Sequence, residues 1–436
     1  MSNLPFLSKV LEKLVLNQLL KHLNSNSLEE TFQSAYRRHH STETALVRVV
    51  NDLLNVVDGG SGSMLTLLDL SAAFDTIDHE ILLKRLDHSF GISGKALDWF
   101  KSYLGGRKQK VVLNNQESKP FDLECGVPQG SVLGPILFVL YISPVSKIFS
   151  RFGLAYHQYA DDTQLYSSDC SRDFSGRCHV TESCVAEAKI WMGKNRLRLN
   201  DDKTEVMFVA GRHLLAKTCF PTVNIGDNQI ETVDKVRNLG VFLDNDLSMD
   251  CQISNLIRIL YANLKKIRLI RPYLSVEATK RIVVSLLFSR LDYCNALLFG
   301  LPRNKLNRLQ AVQNAAARLI FRASKCDRVS PLLQQLHWLP IEKRIKYKAC
   351  VLVYRCLENT APPYLSELLK RYSVPSKLRS ANDPSRLGVP RIRTKAGSRS
   401  FSHFGPTTWN SLPRRLREVD QLSKFKRGLK TYLFTM

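Results

Sequence analysis

Hydrophobic side chains recur at helical spacing early in the chain and then give way to a continuous apolar run. Leu7 to Leu23 carries apolar residues three and four positions apart, and a second such segment, N-capped by Ser41 or Thr42, continues to Val57. The run Met64–Leu68 follows a Gly-rich break and stops at an aspartate. The pattern predicts two amphipathic helices and then a buried strand that ends on a carboxylate.

The middle of the chain mixes helical and strand patterns without regular alternation. Helical spacing and terminal signals predict four helices, at Asp78–Gly91, Ser93–Leu104, Val132–Phe149 and Glu182–Arg196. Strand patterns occur at Lys108–Leu113, Leu154–Gln158, Thr163–Ser168, Thr204–Ala210 and, as a hairpin turning at Gly226-Asp227-Asn228, at Asn224–Ile230. The expected fold class is therefore α+β with antiparallel sheets, not a doubly wound parallel sheet.

From about Leu247 the pattern changes to helices with basic faces. Three are predicted at Ile253–Leu269, Val276–Leu298 and Asn304–Ile320, and a basic amphipathic helix, Leu422–Leu433, ends the chain. A Pro- and Arg-rich run, Pro375–Arg399, lies between the three helices and the C-terminal helix. We therefore expect three domains, at residues 1–245, 246–322 and 323–436.

The charge of the chain is divided as unevenly as its pattern. Residues 1–250 hold 27 Lys and Arg against 30 Asp and Glu, whereas residues 251–436 hold 36 against 9, which are balances of −3 and +27. A basic excess of this size predicts a polyanionic partner, and nucleic acid fits best. A membrane surface is the second candidate, but the longest apolar stretch, Ile136–Ile142, is too short to span a bilayer.

The cysteines and the N-terminus indicate the compartment. None of the ten cysteines forms a CxxC pair, and Lys9, Glu12 and Lys13 interrupt the first apolar run, so neither a zinc site nor a signal peptide is predicted. We expect free cysteines in a reducing, intracellular environment.

Three carboxylates carry the chemistry of the first half. Asp161 and Asp162 fall at the tip of the hairpin predicted around Tyr159–Asp162, and Asp69 ends the apolar strand upstream. An exposed Asp-Asp turn is a common feature with no function. A third carboxylate at a strand end instead favours a cation site, because two-metal phosphoryl or nucleotidyl transfer requires carboxylates that clamp two ions ~3.5–4 Å apart.

Two loops offer further chemistry. The segment Gln33–His40 holds four adjacent cationic or potentially cationic residues, which either lie on a solvated surface or grip phosphates. The segment Gly126–Ser131 is a Gly/Pro loop before a predicted helix that Ser131 would cap. Glycines there allow a ligand to approach the backbone, and a turn packed in the core is an equal alternative.

Five motifs together resemble the reverse transcriptase of a non-LTR (LINE-type), jockey-like retrotransposon. They occur in the family's order and at its spacing, and they are Gln33–Thr42, Leu67–His79, Gly126–Pro135, Tyr159–Asp162 and Asn200–Thr204. Each alone is a weak signal, but five in order leave little room for chance.

The resemblance implies a metal site and a proton donor. By position, Asp69 and Asp161 would hold two Mg²⁺ ions, for which Mn²⁺ can substitute, with Asp162 as their partner. Lys203 would protonate the pyrophosphate leaving group. Carboxylate-held Mg²⁺ with basic side chains supplies the charge neutralisation that phosphoryl transfer needs.

The resemblance also implies substrate contacts. Arg37 would contact the incoming triphosphate, and Gln129 and Gly130 would lie along the nascent base pair and the template. Phe74 would act as a steric gate that rejects the ribose 2′-OH and so selects dNTP. Val236–Leu243 corresponds to the primer grip.

The implied architecture is a right-hand polymerase with incomplete fingers, an antiparallel-sheet palm, a helical thumb and a basic C-terminal helical region. The implied partners are an RNA template, a DNA primer and dNTPs, in a ribonucleoprotein of the nucleus or cytoplasm; the oligomeric state is not implied. The family also carries an endonuclease and more fingers sequence, so the chain resembles a 5′-truncated copy. The competing hypothesis is an inactive truncated relic that binds RNA through its basic C-terminal half.

Overall fold

The computed structural model describes residues 4–435 apart from positions 115, 168–173, 219–221, 226–227, 373–382 and 384. Strands and helices are mixed up to residue 244, and the described elements beyond it are helical. The strands are β1 (Gly62–Leu68), β2 (Leu70–Ser71), β3 (Lys108–Gln109), β4 (Val112–Leu113), β5 (Gln116–Glu117), β6 (Phe121–Asp122), β7 (Ala155–Tyr159), β8 (Asp162–Tyr166), β9 (Arg198–Leu199), β10 (Glu205–Ala210), β11 (Val223–Ile225), β12 (Asn228–Ile230), β13 (Lys235–Asn238) and β14 (Val241–Asp244).

Helices make up most of the remaining described structure. They are α1 (Phe6–Ser25), α2 (Thr42–Asp58), α3 (His79–His88), α4 (Gly94–Leu104), α5 (Gly134–Ile142), α6 (Ser146–Arg151), α7 (Phe174–Lys194), α8 (Arg212–Lys217), α9 (Asp250–Ile270), α10 (Val276–Val283), α11 (Ser289–Leu291), α12 (Arg303–Phe321), α13 (Val329–Gln335), α14 (Ile341–Leu357), α15 (Pro363–Ser366), α16 (Phe401–Asn410), α17 (Arg414–Arg417) and α18 (Leu422–Thr435).

The central feature is a four-stranded sheet in the order β10-β1-β8-β7, with every neighbouring pair antiparallel. Its alternating side chains separate two hydrophobic cores. Leu65 of β1 and Met207 of β10 face one core, whereas Met64, Leu68 and Phe208 face the other. The predicted α+β class with antiparallel sheets is confirmed.

The two cores gather different parts of the chain. The Met64 side packs against α1, α3, α4, α5 and α7. The Leu65 side continues from α2 through α9, α12 and α14 to α16 and α18, so the C-terminal helices share a core with the sheet. Polar contacts reinforce this docking, since Asn51 Oδ1 accepts from the Ser402 amide at 2.9 Å and Asp58 Oδ1 accepts from the Thr394 amide at 2.7 Å.

The predicted caps of the early helices are confirmed. Ser41 Oγ accepts from the Thr44 amide at 3.2 Å while Thr44 Oγ1 accepts from the Ser41 amide at 2.9 Å, which is a capping box at the start of α2. Asp78 caps α3 by accepting from the Ile81 amide.

Three predicted elements are interrupted. The expected helix Val132–Phe149 breaks at Pro144, which has no N–H for the Leu140 carbonyl, and the Ser143 hydroxyl donates to that carbonyl instead. The expected helix Val276–Leu298 contains a π-helical turn and ends before residue 294, which adopts a left-handed φ of +51°. The expected strand at residues 108–113 is two separate exposed pieces, β3 and β4.

Some predictions fall on residues outside the description. These are the turn positions 226 and 227 of the β11–β12 hairpin, and residues 375–382 and 384 of the Pro- and Arg-rich run. The described remainder of that run contains the short 3₁₀ turn Gly397–Arg399. In the described ranges, no helix combines the length and apolarity needed to cross a membrane.

Candidate active site

The register of the sheet brings the three predicted carboxylates to one edge. Leu68, the last residue of β1, pairs with Thr163 of β8, so Asp69 follows directly beside the start of β8, where Asp162 lies. The Asp69 carbonyl accepts from the Asn200 amide at 2.9 Å, which fixes the exit of β1. Asp161 occupies the two-residue turn between β7 and β8.

That turn contains a strained backbone position. Ala160 has a φ of +58°, in the left-handed region that costs an L-residue ~1–2 kcal/mol. Gln33 holds it there, because its Oε1 accepts from the Ala160 amide at 3.0 Å and its Nε2 donates to the Ala160 carbonyl at 3.3 Å. Both peptide groups of the strained residue are thus fixed by one buried side chain.

The carboxylates perturb one another. Burial first, and then the negative charges of Asp161 and Asp69, raise the pKa of Asp162 to about 6. The pKa of Asp161 is also raised, by burial and then by Asp69. By accessible area Asp162 as a whole is exposed, so solvent screens part of this repulsion. The negative charge of the three carboxylates therefore exceeds the positive charge that the neighbouring side chains supply.

Lys203 is the positive charge that faces this cluster. Its Nζ lies 3.0 Å from Asp69 Oδ2, and its side chain is 68% exposed. Asp69 Oδ2 is buried yet accepts no hydrogen bond of regular geometry from the described residues, so the contact with Lys203 is an ion pair only. The lysine predicted from sequence therefore reaches the carboxylate cluster.

The donor set suits a hard divalent cation. Carboxylate oxygens are the ligands that Mg²⁺ prefers, and the buried Asp69 Oδ2 and the mutually raised pKa values mark a place where added positive charge would be stabilising. No group of three or more His, Cys, Asp or Glu side chains in the described ranges is arranged to hold a metal ion as it stands. The assignment of ligands therefore stays a prediction.

The loop after β6 packs against the turn that carries Phe74. The Phe74 carbonyl accepts from the Val127 amide at 2.9 Å, and a side chain on Gly126, whose φ is +82°, would meet the Asp75 carbonyl at 2.8 Å. Gln129 Nε2 donates to both Asp75 carboxylate oxygens at 3.1 and 3.2 Å. The loop is thus seated on the protein.

The predicted contact residues of this region nevertheless remain accessible. Gln129 and Gly130 are exposed, and Gly130 has a φ of +102°, which only glycine adopts readily. The Phe74 ring is half-buried and packs on Phe138 with the ring centroids 4.7 Å apart. Both alternatives for the loop, a packed turn and a surface that a ligand can approach, are compatible with this arrangement.

Glu12 is a residue of this region that sequence reasoning missed. It lies on α1, only 1% exposed, and its Oε2 accepts from the Val132 amide at 2.6 Å and the Leu133 amide at 3.0 Å. These amides lead from Gly130 into α5, where a carboxylate is favourable. The available signal was an acidic residue within an apolar helical stripe.

Arg37 is engaged within its own loop. Its guanidinium contacts Glu29 Oε2 at 2.9 Å and donates to the carbonyls of Glu30 and Gln33 at 2.5 and 3.1 Å. The predicted contact with a triphosphate stays a prediction and would require these bonds to be exchanged.

The segment predicted to correspond to the primer grip, residues 236–243, lies in the β13–β14 hairpin. It is joined to the sheet by a buried hydrogen bond of 2.9 Å from Asn238 Nδ2 to Gln164 Oε1, and Tyr293 Oη donates to the Leu239 carbonyl at 2.7 Å. The hairpin is therefore fixed relative to β8.

Adjacent carboxylates on a tight turn, beside a third at the end of the neighbouring strand, form the donor set of metal-dependent phosphoryl- and nucleotidyl-transfer enzymes. Comparison with known proteins is more specific. The family described as reverse transcriptase (RNA-dependent DNA polymerase) matches residues 1–243. The chain therefore belongs to the reverse transcriptase family, whose members generally use divalent metal ions.

The relatives confirm the resemblance to jockey-like non-LTR elements. The chain is 28% identical over 329 residues to the probable RNA-directed DNA polymerase from transposon X-element and to the RNA-directed DNA polymerase from mobile element jockey, both of Drosophila melanogaster. Each alignment covers 73% of this chain and 35% of the relative. The chain thus spans about a third of the length of the curated relatives it matches.

Solved telomerase structures align at a lower level. Apo telomerase from Candida tropicalis gives a TM-score of 0.40 at 13% identity and covers 77% of this chain and 55% of that chain. The same enzyme in complex with the TWJ fragment of telomeric RNA gives 0.41 at 14%, covering 79% and 54%. Both scores are below 0.5, so neither bears on function.

Proposed function

We propose that the chain catalyses RNA-templated DNA synthesis by two-metal nucleotidyl transfer, as part of a non-LTR retrotransposon. In this reaction the primer 3′-OH attacks the α-phosphate of a dNTP, a phosphodiester bond forms and pyrophosphate leaves. The single observation that carries the proposal is the register that brings Asp69 beside Asp162 within a chain of the reverse transcriptase family.

The carboxylates would hold the metal ions. Asp69 and Asp161 would bind two Mg²⁺, or Mn²⁺ in their place, with Asp162 completing the site. Bound divalent cations neutralise the phosphate charge and favour the ionised 3′-OH. The pKa values of Asp161 and Asp162, raised first by burial and then by the neighbouring carboxylates, support this role, because a bound cation would stabilise the ionised form of both groups.

The other predicted residues would act on the substrates. Lys203, an exposed ammonium at the carboxylate cluster, would donate a proton to pyrophosphate. Phe74 would exclude the 2′-OH with the ring that Phe138 supports. Gln129 and Gly130 would line the nascent base pair, and Arg37 would contact the triphosphate after leaving Glu29.

In this proposal the chain is a right hand with fingers and palm at residues 1–245, a thumb at residues 246–322 and a basic region at 323–436. The antiparallel sheet and the wholly helical described elements beyond residue 244 support it. RNA, a DNA primer and dNTPs are its partners. The charge balance of +27 over residues 251–436 also favours a second function, RNA binding without catalysis.

Primer extension on a homopolymer RNA template with Mg²⁺ tests the proposal. The parent should extend the primer, and Asp161→Asn should lower the rate by ~10³-fold or more, which is the loss expected for a metal-binding carboxylate. Asp98→Asn, which removes an exposed carboxylate paired with Lys101, is the matched control and should extend at the parent rate. Equal rates for Asp161→Asn and Asp98→Asn would refute the metal assignment, and RNA binding without extension would support the second function.

A further inference from the structure

A buried chain of polar side chains links the catalytic turn to the C-terminal region. Ser34 lies next to Gln33, and its amide donates to the Gln158 carbonyl at 2.9 Å. Gln158 belongs to β7, the strand that leads to the turn with Asp161. Ser34 Oγ lies 2.8 Å from His157 Nε2 and 2.8 Å from Tyr364 Oη. Ser34, His157 and Tyr364 are all fully or almost fully buried.

The hydrogen bonds of Thr44, at the other end of the chain of polar groups, determine which group donates in each contact. Thr44 Oγ1 donates to the Ser41 carbonyl at 2.8 Å, so its remaining capacity is to accept, and Tyr364 Oη donates to it at 3.1 Å. Tyr364 has one hydroxyl proton, so it must accept from Ser34, and Ser34 in turn must accept from His157 Nε2–H. One arrangement of protons satisfies every link.

This arrangement fixes the tautomer of His157. Its Nε2 carries the proton, and Nδ1 has no hydrogen-bond partner among the described residues. Full burial lowers the pKa of His157 to about 3, so the ring is neutral at physiological pH and serves as a donor of one hydrogen bond. The chain of hydroxyls is therefore uncharged.

Both the ring and the backbone of Tyr364 make further contacts. Its ring stacks on Phe32 with centroids 6.2 Å apart and meets the His157 ring edge-on at 4.9 Å. Arg48 donates to its carbonyl at 2.7 Å. The residue belongs to α15, which follows Pro362, in the region that the charge pattern alone assigned to RNA binding.

We propose that Tyr364 is a positioning residue for polymerisation, through which the C-terminal region fixes the turn that carries Asp161 and Asp162. The Tyr364 hydroxyl orients Ser34, whose backbone amide donates to the strand before the turn. The adjacent Gln33 holds the strained Ala160 through hydrogen bonds to both of its peptide groups. The catalytic consequence rests on the proposed function, whereas the mechanical link does not. The C-terminal region is then part of the active-site scaffold as well as a basic surface.

Hydrogen exchange of the full chain without substrate tests the link. Tyr364→Phe keeps the ring and removes the hydroxyl, and amides in residues 156–163 should exchange about threefold to tenfold faster, which corresponds to the loss of one buried hydrogen bond. Ser34→Ala breaks the same chain from the other side and also removes the acceptor of His157 Nε2–H, so the local increase should be at least as large. The double variant should exchange no faster than Ser34→Ala alone, because that change already removes the link to Tyr364.

Tyr354→Phe is the matched control. Tyr354 is a buried tyrosine of the same region, but its hydroxyl donates to the Val419 carbonyl at 2.9 Å and leads away from the turn. Its loss should leave exchange in residues 156–163 at the parent rate. Equal exchange there in Tyr364→Phe and Tyr354→Phe would overturn the inference, and if Tyr364→Phe loosens the whole chain, Ser34→Ala decides in its place by the same criterion.

Primer extension tests the proposed effect of Tyr364 on polymerisation. Tyr364→Phe should lower kcat several-fold with KM for dNTP unchanged, since the turn carries the carboxylates, whereas Tyr354→Phe should change neither. Unchanged kcat in Tyr364→Phe would overturn the role in polymerisation. A parent chain without extension would refute the proposed function and leave the exchange measurement to decide the mechanical link.

Discussion

Replacing Glu12 tests how the loop that carries Gln129 and Gly130 is held. Glu12→Gln keeps the shape of the side chain and removes its charge, whereas Glu12→Ala removes both acceptors. The carboxylate accepts from two successive amides, of Val132 and Leu133, and from the Ser8 hydroxyl at 3.2 Å. The substitution therefore acts on the start of α5.

The expected loss follows from these contacts. A hydrogen bond to a buried charged group contributes ~1.5–3 kcal/mol and one to a neutral group ~1 kcal/mol. Glu12→Gln should thus destabilise the loop and the start of α5 by about 1–3 kcal/mol. Glu12→Ala leaves two buried amides without an acceptor and should cost about 3–6 kcal/mol, before any loss of packing.

The assay is hydrogen exchange at the two amides, supported by urea unfolding. The two cores of the chain need not unfold together, so the local measurement is the decisive one. Glu80→Gln is the matched control, because Glu80 is an exposed glutamate paired with Lys84 at 3.6 Å. Equal protection of the Val132 and Leu133 amides in Glu12→Gln and Glu80→Gln would refute the capping role.

Three further predictions concern sugar choice, pH and salt. Phe74→Ala should raise the use of rNTP relative to dNTP in primer extension; loss of stability and activity at an unchanged ratio would show that the ring is only a core contact. The pKa of Asp162 is raised to about 6, so the folded chain binds a proton at this group more tightly than the unfolded chain does. The stability gained from this protonation should be fully present below about pH 4 and lost as the pH rises through 6. Melting temperatures of the parent and of Asp162→Asn, measured in EDTA at pH 4.5 and 6.5, check this, and an equal pH dependence in both would contradict it. RNA binding by the full chain should weaken with salt, log K falling by roughly 0.7–0.9 per phosphate contact for each log unit of salt; salt-insensitive binding would exclude phosphate-driven recognition.

Local signals in the sequence predicted most of the described elements up to residue 321 and placed the three carboxylates at strand ends. The caps at Ser41 and Asp78 and the hairpin around Asp161 depend on contacts within a few residues, which a sequence pattern records directly. The position of Asp69 at a strand end suggested that it could share a site with the hairpin, and the pairing of β1 with β8 brings it beside Asp162.

Long-range contacts were not predictable in the same way. Glu12 meets α5 across about 120 residues of chain, and Tyr364 meets Ser34 across 330. The sequence shows Glu12 as an acidic residue within an apolar helical stripe and Tyr364 as an ordinary tyrosine, and it identifies the contact partner of neither. The left-handed Cys294 is similar, since no glycine or asparagine marks the end of the preceding helix. Tertiary packing selects these conformations.

Helix α2 has a consequence for how the chain would be handled in a cell. Its outer side is covered by α15, by α16 and by the Gly397–Arg399 turn, all from the last fifth of the sequence. A product ending near residue 322 would expose the apolar side of α2 and of its neighbours in the shared core. Such a product would be a substrate for chaperones and proteases. Shortening this gene from its 3′ end should therefore lead to loss of the protein, and a smaller RNA-binding fragment should not persist.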